Sequence, residues 1–598
     1  MSGLALTFGS GAMTNSIPEI GNTSDVIFII GSNTGECHPL VARQVILARE
    51  RGAELIVADP RKTDIARNAT LFLSTPPGYN IPLINGMINV IISENLHNRE
   101  FIEKHTEGFA EVAEAVREYT PERVEVMCGI PARDILRAAR LYAKARAAVV
   151  LYAMGITQHT HGTANVASLA NLVAITGQIG RPGAGICPLR GQNNVQGACD
   201  MGALPGTYPA YAPVTDDAVA TRYEKAWGVS LSRKPGLKVT EVPHAIQKGQ
   251  VRALCVFGEN PLMSDPDSAE LRKELAHLDL LMVMDIFMTE TARLADVVFP
   301  AAGWAEKSGT FSNTERRVQL VRKAVDAPGL AMPDWWIFSQ LAKRLGYSGM
   351  EYSGTDAIWD EMRGLAPASF GGITHERLNS RPGLCWPCPD ARHPGTPILH
   401  RDGKFVRAGN KAQLVPVFFD PKTLPEHRGT GLKNRLLGKI AEHADKEYPF
   451  VLTTGRRVYH YHTGTMTRKS PVLDRIGPEE LVEINAVDAT QLGIINGDYI
   501  TLATRRGRVT ARAWVTDRIR RGVLFATFHF WEACCNELTG AGAVDPVSGI
   551  PEFKVSAVAV SRSNEHEHAL ALERTRAACH VSLERSGTTN MHTSPASL

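Results

Sequence analysis

Five planar hydrogen-bonding side chains fall within seven positions, Arg190, Gln192, Asn193, Asn194 and Gln196, with glycines at Gly191 and Gly197. Guanidinium and amide groups packed this densely suit a polar, planar ligand, and Arg190 can clamp a small carboxylate with two parallel N–H donors. A structural salt bridge is the other use for that arginine. Two more groups have the composition of a nucleotide site. Gly31-Ser-Asn33 and Asp59 form the first, with 28 positions from glycine to aspartate; Gly258-Glu-Asn260 and Asp285 form the second, with 27. Glycine lets the backbone approach a phosphate or sugar, the helix behind it points its positive end there, and the aspartate accepts from ribose hydroxyls or a guanine edge. One Gly-x-Asn loop alone often only turns the chain. Its repetition favours ligand contact, and the absence of Gly-x-Gly-x-x-Gly from both copies disfavours plain NAD. Met154-Gly155-Ile-Thr-Gln158 is a further loop of this kind.

These loops need strands and helices to carry them. Val26-Ile-Phe-Ile-Ile30 reads as a strand buried on both faces of a parallel sheet. His38-Pro39 opens a helix with Val41, Val45 and Ala48 on one face, Gly52 stops it, and Glu54 to Ala58 is the next strand. The second copy has a strand over Leu254–Phe257, a helix with Leu271, Leu275 and Leu278 on one face, and a strand over Leu280–Met284. Two β-α-β units of matched length predict two related nucleotide-binding domains. Downstream, Asp498 to Thr504 and Arg508 to Val515 alternate apolar and polar residues around Gly507, which predicts a β-hairpin within a barrel. The Pro- and Gly-rich stretch between them, about Gly329 to Tyr448, reads as linker and wrapping segment.

Composition sets the frame. The 598 residues predict three or four domains, and 44% hydrophobic with 21% charged residues is ordinary for a globular chain. With 65 basic against 62 acidic residues the net charge is +3, which gives no support for a nucleic-acid or membrane-surface partner. No run approaches the ~20 apolar residues of a membrane span, and the first fifteen residues lack a signal peptide's charged start and apolar core, so a cytoplasmic location is expected. Of ten scattered cysteines only Cys385-Trp-Pro-Cys388 has metal-ligand spacing. A four-thiolate site needs a second pair, so buried or loop thiols are the expectation and no metal ligand is assigned. Glu565-His-Glu-His568 in the polar tail reads as a frayed helix, with adventitious metal binding as the alternative.

Pro188-Leu-Arg-Gly-Gln-Asn-Asn-Val-Gln-Gly-Ala-Cys-Asp-Met-Gly-Ala-Leu-Pro205 resembles the signature of formate dehydrogenase catalytic subunits in the molybdopterin oxidoreductase superfamily. Gly11-Ala-Met-Thr-Asn15, Asp59-Pro-Arg61-Lys62, Gly177 to Gly185, Asp285 to Ala292 and Trp531 to Leu538 are similar to it as well, and the resemblance covers nearly all of residues 2 to 560. It implies a bis(molybdopterin guanine dinucleotide) cofactor with molybdenum or tungsten, one guanosine end per α/β unit. It also implies that Arg190 orients formate and that Gln192 lies beside the pterin. Gly31, Asn33, Asp59, Arg61, Met154, Gly155, Gln158, Gly191, Gly258, Asn260 and Asp285 fall on cofactor loops by the same resemblance. Arg456, His460, Tyr461 and His462 resemble the barrel loop that closes over the pterins; on their own they also read as a solvated basic turn.

The resemblance further implies parts that this sequence lacks. The family begins with a cysteine-rich [4Fe–4S] region, and its selenocysteine- or cysteine-histidine pair would align just upstream of Met1. The chain alone is therefore expected to be inactive. The expected architecture is α/β: residues 1–192 as a first cofactor domain, 193–328 as a second with its N-terminal part missing, 329–447 as linker, 448–560 as the barrel and 561–598 as tail. The expected partners are formate or carbon dioxide and an electron-transfer subunit with iron–sulfur or flavin centres, with no nucleic acid and no direct membrane span. A nitrate reductase, or a cofactor-free structural subunit of a respiratory complex, is the alternative.

Overall fold

A computed structural model describes residues 1–420, 436–564, 569–570 and 573 of the chain. The Glu565–His568 motif and most of the tail lie outside the described residues. The first sheet is parallel and built from β1 (Val26–Ile30), β2 (Glu54–Ala58), β3 (Leu71–Leu73), β4 (Ala148–Tyr152) and β5 (Gly185–Pro188), in the order β3-β2-β1-β4-β5. Every β1 residue is buried because the strand has a core on each face. Val26, Phe28 and Ile30 join one cluster with helices Asn80–Ser93, Ala132–Ala143 and Gly162–Ile175; Ile27 and Ile29 join another with helix Pro39–Glu50. This is the period-two alternation of a strand serving two cores.

The second unit has three parallel strands, β6 (Ala253–Phe257), β7 (Leu280–Asp285) and β8 (Val297–Pro300), in the order β8-β7-β6. Its backbone repeats that of the first unit. Gly31 N–H donates to the Ala58 carbonyl at 3.0 Å, and Gly258 N–H donates to the Met284 carbonyl at 2.8 Å; both glycines have positive φ, 56° and 65°. The following helix ends at Leu275, so Leu278 packs from the loop beyond it rather than from the helix face. Unlike β1, this sheet is open: Phe257 is 53% exposed and Val297 39%.

The stretch 329–447, rich in proline and glycine, is not mere connection. It carries helices Asp334–Arg344, Thr355–Leu365, Pro367–Phe370 and His375–Ser380, and Trp359, Met362, Phe370 and Leu378 form their own core with Val318 and Trp386. Turn-forming residues between these short helices hid them from a composition reading. Fully buried Arg316 ties this core together, donating to the carbonyls of Met13, Trp386, Thr396 and Pro397.

The C-terminal part is a closed barrel of β9 (Phe450–Gly455), β10 (Leu481–Asn485), β11 (Tyr499–Ala503), β12 (Arg508–Thr516), β13 (Val523–Thr527) and β14 (Ser556–Arg562), in the order β9-β13-β10-β12-β11-β14. The expected hairpin is β11–β12, antiparallel with Leu502 opposite Val509. Val482 and Ile484 point into the barrel core, which turns the intervening Glu483 out toward the first domain.

Candidate active site

The strand order of the first sheet reverses between β1 and β4, and at such a switch point the two strand ends splay apart to leave a crevice. Here the loops after β1 and β4 meet backbone to backbone. Gly155 N–H donates to the Gly31 carbonyl at 3.0 Å, and a Cβ on Gly31 would stand 2.6 Å from the Gly155 carbonyl carbon. Only glycine fits at either position. Above this floor opens a cleft, walled on one side by the first domain and on the other by the barrel.

Most of the residues singled out in the first domain come together here. Gly31, Asn33, Asp59, Arg61, Met154, Gly155, Gln158, Gly191 and Gln192 line the cleft, and Arg456 and His462 line it from the barrel side. Both polar atoms of the Asn33 amide are buried without a partner. Asp59 Oδ1 accepts the Arg61 N–H at 2.9 Å, and burial pushes its carboxyl up to about 6. Arg61 is committed elsewhere: Nε and Nη2 hold Glu483 at 2.9 and 2.6 Å, and its guanidinium lies 3.5 Å over the Phe525 ring. Arg190 lies behind Gly191 and outside the cleft lining, with Nε donating to Gln196 Oε1 at 2.8 Å and Nη2 buried and unpartnered.

His460 and Tyr461 do not reach the cleft. His460 Nε2 donates to the Gly477 carbonyl at 2.6 Å, and Tyr461 N–H donates to Thr467 Oγ1 at 3.0 Å, so both serve to fold their own loop. His462 does line the cleft, with φ at 52°, and burial lowers its imidazole to about 4. His529 fixes this loop. Its Nδ1 donates to the His462 carbonyl and its Nε2 accepts the Arg457 N–H at 2.9 Å, which leaves one neutral tautomer.

The second unit is used differently. Asp285 Oδ1 accepts the Ile286 N–H at 2.7 Å, much as Asp59 caps its own turn. Asn260, however, is fully engaged: Nδ2 donates to Glu290 at 2.7 Å, and Oδ1 accepts from the backbone and hydroxyl of Thr291 at 3.2 and 2.7 Å. Gly258, Asn260 and Asp285 do not line the cleft of the first domain. A second cavity lies between Phe287–Glu290 on this unit and the barrel loop at Thr463–Lys469.

Sequence reasoning missed three groups at the first cleft. His38 had been read only as the start of a helix. Its Nε2 donates to the Arg190 carbonyl at 2.8 Å, so its buried Nδ1 is an unpartnered acceptor, and burial lowers the ring to about 4. Lys554 is 7% exposed, donates to the Thr454 carbonyl at 2.7 Å, and is brought down to about 8 by burial. His159 supports the floor, with Nε2 on the Gly155 carbonyl and Nδ1 3.0 Å from Glu552. No spacing in the sequence signals Lys554 or Glu552; the His38-Pro39 pair was the one visible mark.

This donor set fits a large anionic dinucleotide. Main-chain glycines leave room for a diphosphate, Lys554 and Arg456 supply positive charge, and Asn33, His38 and Asp59 offer amide, acceptor and carboxylate groups for heterocycle edges. Among the described residues no group of three His, Cys, Asp or Glu side chains is placed to hold a metal ion.

Residues 5–344 match the family model described as molybdopterin oxidoreductase, and residues 450–557 match that of the molydopterin dinucleotide binding domain. The F420-dependent formate dehydrogenase subunit alpha of Methanocaldococcus jannaschii is 48% identical over 94% of this chain and 80% of its own length. Formate dehydrogenase H of Escherichia coli is 41% identical over 94% and 76%, and a nitrate reductase of Symbiobacterium thermophilum is 36% identical over 94% and 76%. The solved structure of acetylene hydratase from Pelobacter acetylenicus superimposes with a TM-score of 0.72 at 21% identity, covering 94% of this chain and 80% of that one.

Proposed function

The chain belongs to the molybdopterin oxidoreductase family, and we propose that it is the catalytic body of a formate dehydrogenase holding two pterin guanine dinucleotides. The observation that carries the formate reading is Arg190. Its Nε is already satisfied, its Nη2 is buried with nothing to bond, and the Arg456 guanidinium packs so closely on Gly191 beside it that a Cβ there would stand 3.0 Å from Arg456 Nη2. A buried cationic edge with open donors selects a small anion, and formate is the smallest carboxylate. Four relatives named as formate dehydrogenases are 41–48% identical and one named as a putative formate dehydrogenase is 35% identical, while the nitrate reductases are 33–36% identical.

In this reading Gly31, Asn33, Asp59, Met154, Gly155, Gln158, Gly191 and Gln192 hold one dinucleotide from below. Lys554, Arg456 and His462 close over it from the barrel. Gly258, Asn260 and Asp285 shape the loop that bears the second, with contact made through the Phe287–Glu290 segment. Bound there, the molybdenum or tungsten–pterin group supplies a two-electron redox centre. Arg190, behind Gly191 at the edge of the cleft, neutralises the formate carboxylate and orients its C–H bond. Formate loses two electrons and a proton and leaves as carbon dioxide, and the electrons pass to a partner subunit.

The test is analysis of the protein purified with its partners. Two guanine nucleotides and one molybdenum or tungsten per chain, with reduction by formate, are expected. A metal-free protein would support the structural-subunit alternative, and reoxidation by nitrate without reduction by formate would support a nitrate reductase.

A further inference from the structure

Behind Arg190 lies a set of polar side chains with every hydrogen bond committed. Gln196 is fully buried on helix Val195–Asp200. Its Nε2 donates to Asp200 Oδ1 at 2.7 Å and to the Tyr211 hydroxyl at 2.6 Å. Tyr211 in turn donates to Asp200 Oδ1 at 3.0 Å, and Trp386 Nε1 donates to Asp200 Oδ2 at 2.9 Å. Both amide hydrogens of Gln196 are thereby used, and Oε1 is left to accept from Arg190 Nε at 2.8 Å. The amide cannot be turned over. Reversed, its NH₂ would meet a guanidinium N–H, and its carbonyl would meet a carboxylate that only accepts.

The main chain of Arg190 is pinned as well. Its N–H donates to Thr314 Oγ1 at 3.2 Å, and its carbonyl accepts from His38 Nε2 at 2.8 Å. Asp200 is 1% exposed; burial pushes its carboxyl up, while hydrogen bonds from Gln196 and Tyr211 hold it down. What remains of the guanidinium is the terminal edge with unpartnered Nη2.

We propose that Gln196 and Asp200 are positioning residues for Arg190, Asp200 fixing the orientation of the Gln196 amide and Gln196 holding the Nε edge so that the Nη edge meets the substrate carboxylate. This rests on the reading of Arg190 as the formate clamp. A long arginine side chain has several rotamers, and aiming its planar fork before substrate arrives saves the ordering that binding would otherwise require.

The experiment uses the holoenzyme with its electron-transfer partner. It measures formate affinity by calorimetry without an electron acceptor, then KM and kcat. Gln196→Leu and the isosteric Asp200→Asn should each weaken formate affinity on the order of tenfold, as expected for one charge-assisted hydrogen bond. KM should rise in step, kcat should fall less, and pterin and metal content should stay unchanged. The double variant should be no worse than the poorer single one, because both act through the same bond. Additive losses, or wild-type affinity in Asp200→Asn while Arg190→Lys binds formate poorly, would overturn the relay alone. Unchanged formate affinity in Arg190→Lys would overturn the clamp itself.

Discussion

Arg61 of the first domain and Glu483 of the barrel form a bidentate ion pair closed to water at both ends, although 422 positions separate them in the chain. The attraction outweighs burial for both groups: Glu483 is held below the usual carboxylate range and Arg61 is raised. The pair fastens one wall of the cleft to the other, beside the main-chain bond from Lys62 N–H to the Arg518 carbonyl at 2.6 Å.

Removing one member should therefore cost more than removing both. Glu483→Gln leaves a buried guanidinium uncompensated and is expected to destabilise the protein by ~3–5 kcal/mol, whereas Arg61→Met with Glu483→Leu should recover most of that loss. Chemical denaturation of the three variants checks this. A double variant as unstable as the single one would show that the pair contributes net stability rather than registration of the walls.

Asp59 sets a pH dependence of opposite sign to that of a paired carboxylate. Burial raises it from 3.8 to about 6, so between those values the folded chain holds a proton that the unfolded chain releases. Stability of the cofactor-free protein should fall as pH rises through that window, by ~3 kcal/mol. Asp59→Asn should flatten this slope and be more stable at neutral pH, yet retain less pterin. Superimposable stability–pH curves for variant and parent would rule the effect out.

His529 is expected to govern cofactor retention more than folding. Its imidazole spans the Arg457 N–H and the His462 carbonyl, and burial keeps it neutral, near 3. His529→Phe removes both bonds from the loop carrying Arg456 and His462. Pterin release after gel filtration should quicken about tenfold, while midpoints of barrel unfolding move little. Equal release rates would place loop control elsewhere.

Hydrogen exchange should separate the two α/β units. Strands β1 and β2 are buried on both faces and should be protected to the limit of global unfolding. Strands β6 and β8, with Phe257 and Val297 exposed, should exchange through local opening. Equal protection of the two sheets would contradict this.

Much of this arrangement was written in local patterns. Val26–Ile30 with Gly31 and Asp59 declares a strand, a turn and a carboxylate through periodicity and spacing, and the repeat at Gly258 and Asp285 follows the same rule. The Arg190–Gln196 run declares its chemistry by density. What escaped depends on distant partners. Nothing near Asn260 shows that Glu290 and Thr291 satisfy its amide while Asn33 stays unpartnered. Lys554 and Glu552 sit in an ordinary strand approach, and only folding brings them against the loops of the first domain. Trp359 and Phe370 lie on helices too short for their period to stand out among prolines and glycines.

The cleft has one wall made early in synthesis and one made late. Thr453, the first barrel residue to line it, follows Gln192 by 261 positions, and Lys554 comes later still. At about 5–20 residues per second, roughly 15–60 s pass between synthesis of Gly155 and that of Thr453. The first domain's own core also waits for Val417 and Phe419, so the cleft is among the last features the chain can close.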